Sequence, residues 1–299
     1  MYQSFVYVEV RIQLPSVDSV FFTSEKNHKI CINQQVLQQV YILAKALECE
    51  ISTISDVEHI KNVVSKLESG KELTGYSVKI ADNGKMNILF HSHQKTIHIE
   101  EVRIEEDLGR LTHANGNTRM DYSCAGNPSI RIRTAASFEL GEEVHLFLEE
   151  LRRLTQYLNI ANDSSKDGFI RCNAYVALSK YPNLPDYYVK LRNLNSFNFA
   201  RKAVNHELTR QENMLSAGEK VPSESRIWNE AKSCTESFQE REIVRIRFEH
   251  LNPPQTINLE TAEQNLFSTE NFELPEARRM RLKKQYGVSR LRAEFICDT

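Results

Sequence analysis

"VRIEEDLGRLTHANGNTRMDYSCAGNPSIRIR", residues 102–133, carries the reading on which the fold turns. An alternating run leads into Glu105, Glu106 and Asp107. A polar connection follows, then Asp-Tyr-Ser-Cys-Ala-Gly-Asn-Pro and a second alternating run that holds Arg131 and Arg133. Both runs have the period of two that a half-buried strand requires. Three adjacent carboxylates repel one another, so a folded chain tolerates them where they point different ways or share a cation. The alternation groups Arg103 with Glu105 and Asp107 on one strand, and Arg131 with Arg133 on the other.

Outward from this stretch the strands cluster. Val6, Val8, Val10, Ile12 and Leu14 fall on one face of the N-terminal run, and Tyr7, Glu9, Arg11 and Gln13 on the other. Residues 76–133 read as β, with a hairpin expected at Asn83-Gly84 and strands over TIHIEEVRI and SIRIRT. FIRCNAYVALSKY and DYYVKLRNL are expected to form a second hairpin, and IVRIRFEH a late strand. Asn33 can cap a helix carrying Val36, Leu37, Val40, Leu43, Ala44 and Leu47. Asp56 is expected to cap another carrying Ile60, Val63, Val64 and Leu67 up to Gly70. Further helices are expected over EEVHLFLEELRRLTQYL, SFNFARKAVNHELTRQENMLSAG and LPEARRMRLKKQYG. Strands that cluster, without regular alternation with helices, predict an α+β fold: an antiparallel sheet with flanking helices.

With 299 residues, 40% hydrophobic and 26% charged, the chain can bury a full core. Its 38 basic and 40 acidic residues leave a net charge of -2, so any RNA contact has to come from local patches. No apolar run approaches the length of a membrane span, and the N-terminus alternates like a strand. A soluble, cytoplasmic protein with no membrane partner is therefore expected. Six cysteines without a C-x-x-C pair read as reduced, mostly buried thiols.

A resemblance extends across these elements. In order, EVRIQL (9–14), ALECEI (46–51), IEEDLGRLTH (104–113), DYSCAGNP (121–128), RCNAYVAL (171–178) and LRNLNSFNFARKAVNHELTRQ (191–211) resemble the GatB family, the B-type subunits of tRNA-dependent aspartyl/glutamyl amidotransferases. ESRIWNEAKSCT (224–235) and LPEARRMRLKKQYGVS (274–289) continue the likeness, which runs from Phe5 to Ser289. It implies a glutamine synthetase-like catalytic (cradle) domain over 1–270 and the start of a helical region over 271–299. The tRNA-binding tail domain is expected to be absent, and tRNA contact weak. The implied activity is ATP-dependent activation of the side-chain carboxylate of Glu-tRNA(Gln) or Asp-tRNA(Asn), then amidation with ammonia from a partner amidase. ATP and magnesium are the implied cofactors. An A-type amidase subunit is the implied partner, with a small C-type subunit as a further candidate. Glu9, Glu105 and Asp107 take the implied catalytic positions, and Arg171 and Lys232 those of nucleotide or tRNA contact.

The residues depart from the family pattern where charge matters most. The first strand of the family carries Glu-Val-His where this chain has Glu9-Val10-Arg11. Arg103 stands in place of a His before the acidic trio, and Arg131 in place of the Glu of Ile-Glu-Ile. Asn-Arg-Ala-Gly is here Ser123-Cys124-Ala125-Gly126, Arg-Cys-Asp is Arg171-Cys172-Asn173, and a family Lys is Arg192. Arginine does not give up its proton and cannot ligate a metal. The expectation is an ion-pair cluster in which Arg11, Arg103 and Arg131 converge on Glu9, Glu105 and Asp107, with no metal there. The zinc segment of the family is reduced to FFTSEKNHKICINQQ, which cannot supply four ligands, so no zinc is expected.

Plainer readings stand beside these. His91 and His93 read as surface residues, and Arg278, Arg279, Arg281, Lys283 and Lys284 as a solvated helix face. Trp228 with Arg226 and Lys232 could stack on a nucleotide or simply pack. Two functional readings follow: a B-type amidotransferase subunit, or a non-catalytic relative with a binding or regulatory role whose metal cluster has become salt bridges.

Overall fold

The computed structural model describes residues 2–24, 29–63, 73–91, 93–114, 117–160, 169–180, 183, 185–238, 245–259, 273, 275–289, 292–293 and 296–297. The strand expected at the N-terminus is β1 (Gln3–Gln13). It pairs antiparallel with β10 (Pro128–Thr134) on one side and β11 (Ile170–Ser179) on the other. Beyond β10 lie β7 (His93–Glu106), β6 (Leu73–Phe90) and β5 (Ile54–Val63), and β15 (Arg245–His250) forms that edge. Beyond β11 lie β12 (Val189–Leu194), β13 (Ser225–Asn229) and β14 (Cys234–Ser237). Pairing is antiparallel except between β12 and β13. Short strands β4 (Glu50–Ile51) and β16 (Thr256–Asn258) add to β6 and β5. Two small ribbons stand apart: β2 (Phe21–Thr23) with β3 (Ile30–Ile32), and β8 (Arg110–Ala114) with β9 (Asn117–Asp121).

One face of the sheet is apolar and covered. Val6, Val8, Val10 and Ile12 are fully buried in one continuous cluster with residues of α1 (Gln34–Ala46), α2 (Gly141–Tyr157) and α3 (Phe197–Ser216). Asn33 caps α1, its Oδ1 accepting from the Gln35 N–H at 2.9 Å, and Ser196 caps α3 by accepting from the Phe199 N–H at 3.1 Å. Leu140 has no side-chain oxygen to cap α2. Glu143 reaches back instead and accepts from the Glu139 and Leu140 N–H groups, half of a capping box. Among the described residues, α4 (Pro275–Tyr286) follows the sheet. No described helix is long and apolar enough to cross a membrane.

Two local expectations are corrected. The helix expected from Asp56 is strand β5 over its described part, and residues 64–70 lie outside the described residues. Val57 and Ile60 have the i, i+3 spacing of a helix face, yet each is 1% exposed in a strand paired on both edges. β-branched residues take that site because cross-strand burial overrides local periodicity. The Asn83-Gly84 hairpin is also absent. β6 runs through both residues, and the connection falls after Phe90, which pairs with His93. Asn83 does take positive φ (52°), but Gly84 serves a close approach: a Cβ there would lie 2.2 Å from Cys49 Sγ and 2.8 Å from the Leu47 carbonyl oxygen. The end of α1 sits directly on the strand, and the Lys85 N–H donates to Leu47 O at 2.7 Å. Gly84→Ala should therefore cost about 1–3 kcal/mol in chemical unfolding. The loss should persist in Gly84→Ala/Cys49→Ala, because the backbone oxygen remains; unchanged stability in both variants would refute the close-approach reading.

Candidate functional site

The polar face of the sheet is built by register. Lys79, Arg103, Arg131, Arg11 and Arg171 lie directly opposite one another on β6, β7, β10, β1 and β11, a row of five cations. Like charges directly opposed destabilise a sheet, so anions from neighbouring rows have to intervene. The next row on one side supplies Asp82, Glu101, Arg133, Glu9 and Asn173 in the same strand order. On the other side comes Glu105, opposite Ser77 and Ser129.

Arg131 is the hub. Its Nη2 lies 2.8 Å from Glu101 Oε1, its Nε 2.7 Å from Glu105 Oε1, and its Nη1 3.4 Å from Glu9 Oε1. The second oxygens of the same three carboxylates are also met. Glu105 Oε2 lies 2.6 Å from Arg11 Nη2, and Glu101 Oε2 is 3.5 Å from Arg103 Nη1. Glu9 Oε2 accepts from the Tyr175 hydroxyl at 2.6 Å. Glu105 has no solvent exposure, and Arg131 has 9%. Burial works against the Arg131 charge, but Glu105, Glu101 and Glu9 together hold its pKa above the ordinary arginine value. Arg103 turns partly elsewhere: it pairs with Glu58 on β5 and donates from Nε to Ser77 Oγ at 2.8 Å.

The acidic trio is tolerated by dispersal. Glu105 enters the arginine face. Half-buried Glu106 accepts from the Tyr76 N–H at 2.9 Å on the other side, and burial raises its pKa against the pull of the backbone donors. Asp107 lies just past the end of β7, where its Oδ1 accepts from the Gly109 N–H at 2.8 Å. Its main chain exchanges hydrogen bonds with Gly126 and Asn127, tying the 121–128 turn to the strand end. Arg11 and Arg131 thus meet Glu105, whereas Arg103 is directed to Glu58 and Glu101.

The remaining candidates divide. Asn173 faces Glu9 and Arg171 faces Arg11 across β1 and β11. Arg192 lies on β12, two strands from β1, and Cys124 in the 121–128 turn. Lys232 is on the exposed β13–β14 turn, paired with Glu236 at 2.7 Å. Buried Trp228 lies beside Phe199 and His206 of α3, which is a packing role. Glu58, Glu101 and Tyr175 belong to the site although no motif of the sequence marks them for it. Glu101 and Tyr175 carry a readable signal, since each shares a strand face with Arg103 or Arg171 by alternation. Beside Glu9 a ladder of rings extends the face. Tyr7 and Tyr175 stack with centroids 4.3 Å apart, with Arg133 5.1 Å from the Tyr7 centroid and Lys190 5.1 Å from that of Tyr175.

Residues 29–264 match the GatB/GatE catalytic domain. The chain belongs to that family. It is 28% identical to the B-type chain of the aspartyl/glutamyl-tRNA(Asn/Gln) amidotransferase of Carboxydothermus hydrogenoformans, covering 100% of this chain and 67% of that relative. It is 25% identical to the corresponding chain of Clostridium kluyveri (99% and 66% covered) and 26% to that of Synechococcus elongatus (99% and 67%). The chain spans about two thirds of the length of these relatives.

The magnesium that GatB membership implies does not fit the Glu9, Glu101 and Glu105 cluster. A divalent cation needs free carboxylate oxygens, and all six here already have a cationic or hydroxyl partner within 3.5 Å. Among the described residues, no group of three or more His, Cys, Asp and Glu side chains is gathered to hold a metal.

Arg131→Met should cost about 3–5 kcal/mol, because it leaves buried carboxylates without their shared cation. Arg11→Met should cost clearly less, its side chain being 32% exposed. Equal losses in urea unfolding would contradict the hub assignment. A second outcome concerns alkaline pH. Burial, with Glu9 adding to it and Arg133 opposing it, pushes the Tyr7 hydroxyl from 10.0 up to about 12. The unfolded chain then releases this proton first, so the contribution of Tyr7 to stability is whole below pH 10.0 and falls as pH rises toward about 12. Tyr7→Phe should flatten that part of the stability curve; an unchanged slope would exclude it.

Proposed function

We propose that this chain acts as the B-type subunit of a tRNA-dependent amidotransferase. In that role it takes part in ATP-dependent activation of the side-chain carboxylate of Glu-tRNA(Gln) or Asp-tRNA(Asn), and ammonia from an A-type amidase partner completes the amide. A small C-type subunit is a further candidate component, and a cytoplasmic setting goes with this role. The observation that carries the reading is the GatB/GatE catalytic domain match over 29–264, on a sheet whose polar face keeps Glu9, Glu105 and the adjoining Asp107. The domain division at 270/271, which lies outside the described residues, belongs to the same proposal. So do Arg171 and Lys232 as contacts to nucleotide or tRNA. With a net charge of -2 and its central arginines engaged by carboxylates, the chain is expected to hold tRNA weakly and electrostatically.

Reconstitution tests the reading. Co-expression with an A-type amidase and a C-type subunit should give one peak in size-exclusion chromatography. That assembly, given ATP, glutamine and Glu-tRNA(Gln) or Asp-tRNA(Asn), should form the amide. Separate peaks at micromolar concentration would overturn the subunit assignment. Co-elution without amide formation would place the chain in the non-catalytic binding or regulatory role.

A further inference from the structure

We propose that the Arg131 guanidinium is a built-in counter-cation for Glu9, Glu101 and Glu105, so that this carboxylate cluster is closed to a divalent metal for as long as Arg131 is in place. The inference rests on how the donors are divided. Arg131 contacts one oxygen from each carboxylate, at 3.4, 2.8 and 2.7 Å, and these come from β1 and from two positions on β7, the strands on either side of its own β10. Through three different nitrogens, one guanidinium supplies the three carboxylates with the charge compensation that a bound cation would give, without drawing their oxygens to one point. The difference is that the guanidinium is covalently tethered and stays charged at every accessible pH. The other three oxygens are held by Arg11, Arg103 and the Tyr175 hydroxyl, so the cluster has no open coordination position.

Entry of a metal would require Arg131 to leave. Arg131 is only 9% exposed, opposed in register by Arg11 and Arg103, and flanked by its three carboxylates. Displacing its guanidinium would break three charge pairs at once and leave fully buried Glu105 with Arg11 as its one remaining cation among the pairs described. Magnesium also parts with its hydration water reluctantly, and a site already filled by hydrogen bonds offers nothing to replace it. One consequence depends on the amidotransferase reading: magnesium that accompanies ATP in the assembly is held by groups other than Glu9, Glu101 and Glu105. The closure of the cluster itself does not depend on that reading.

The test uses the full chain alone, with Mn2+ followed by electron paramagnetic resonance, and size-exclusion with the amidase as a separate measurement. The native chain should show no saturable Mn2+ binding up to ~1 mM, the weak end of oxygen-ligand sites. Arg131→Met should bind one Mn2+ with a dissociation constant in the ~0.1–1 mM range, raise its melting temperature when Mn2+ is added, and lose both effects on adding Glu105→Gln. Saturable one-to-one binding by the native chain, abolished by Glu105→Gln, would overturn the proposal. So would a folded Arg131→Met that binds none. If Arg131→Met does not fold, the native titration with its Glu105→Gln control decides alone. Failure of the chain to join the amidase would count against the subunit role and leave the metal result standing.

Discussion

Glu105 is a carboxylate with no access to water, held between the guanidinium groups of Arg11 and Arg131. Taking such an ion out of water costs several kcal/mol, which is offset only where geometry is good and every lone pair is met. That requirement fixes more than one side chain. Arg11 is on β1, Arg131 on β10 and Glu105 on β7, so the three central strands are bound to one register. A slip of one residue would send the guanidinium groups into the apolar layer with Val10 and Ile132 and bring those residues to the surface. The covered face supplies the bulk of the burial, and the charged face makes only one pairing of the strands acceptable.

Much of this was legible in the residues. The alternation of Val6, Val8, Val10 and Ile12 marked the central strand, and the capping side chain of Asn33 marked where the first helix begins. Where local pattern misled, a non-local partner had decided. Ile60 and Val63 carry helical spacing, but β6 and β15 on either side draw the segment into the sheet. Asn83-Gly84 is a strong turn signal on its own; the arrival of α1 from another part of the chain gives its glycine a different use. The site followed the same rule. Arg11, Arg103 and Arg131 could be placed on a face from their own strands, and so could Glu9 and Glu105. Glu58 could not, because it lies on the strand whose spacing imitates a helix, and the pairing of Arg103 with it depends on that strand's position.

The GatB/GatE catalytic domain is thus built on a sheet with one apolar, covered face and one charged face. The covered face requires residues that are small or apolar, such as Gly84 against α1. Charged positions on the open face are constrained differently, since an arginine and a metal can each neutralise the same carboxylates. Exchange of one for the other would leave backbone pairing intact, so the electrostatics of the centre can differ on one and the same fold.

Trp228 is the single tryptophan of the chain, 3% exposed on β13 against Phe199 and His206 of α3. Tryptophan emission therefore reports on one margin of the sheet, three strands from β1 and remote in sheet order from the arginine cluster. Eleven tyrosines share the near-ultraviolet absorption, so the signal of the whole sheet is better taken from backbone circular dichroism. The protein thus offers one local optical reporter at the margin and one signal from all its strands. Coincident transitions from both would mean that the sheet melts as a unit, and divergent ones that the β13–β14 margin opens on its own.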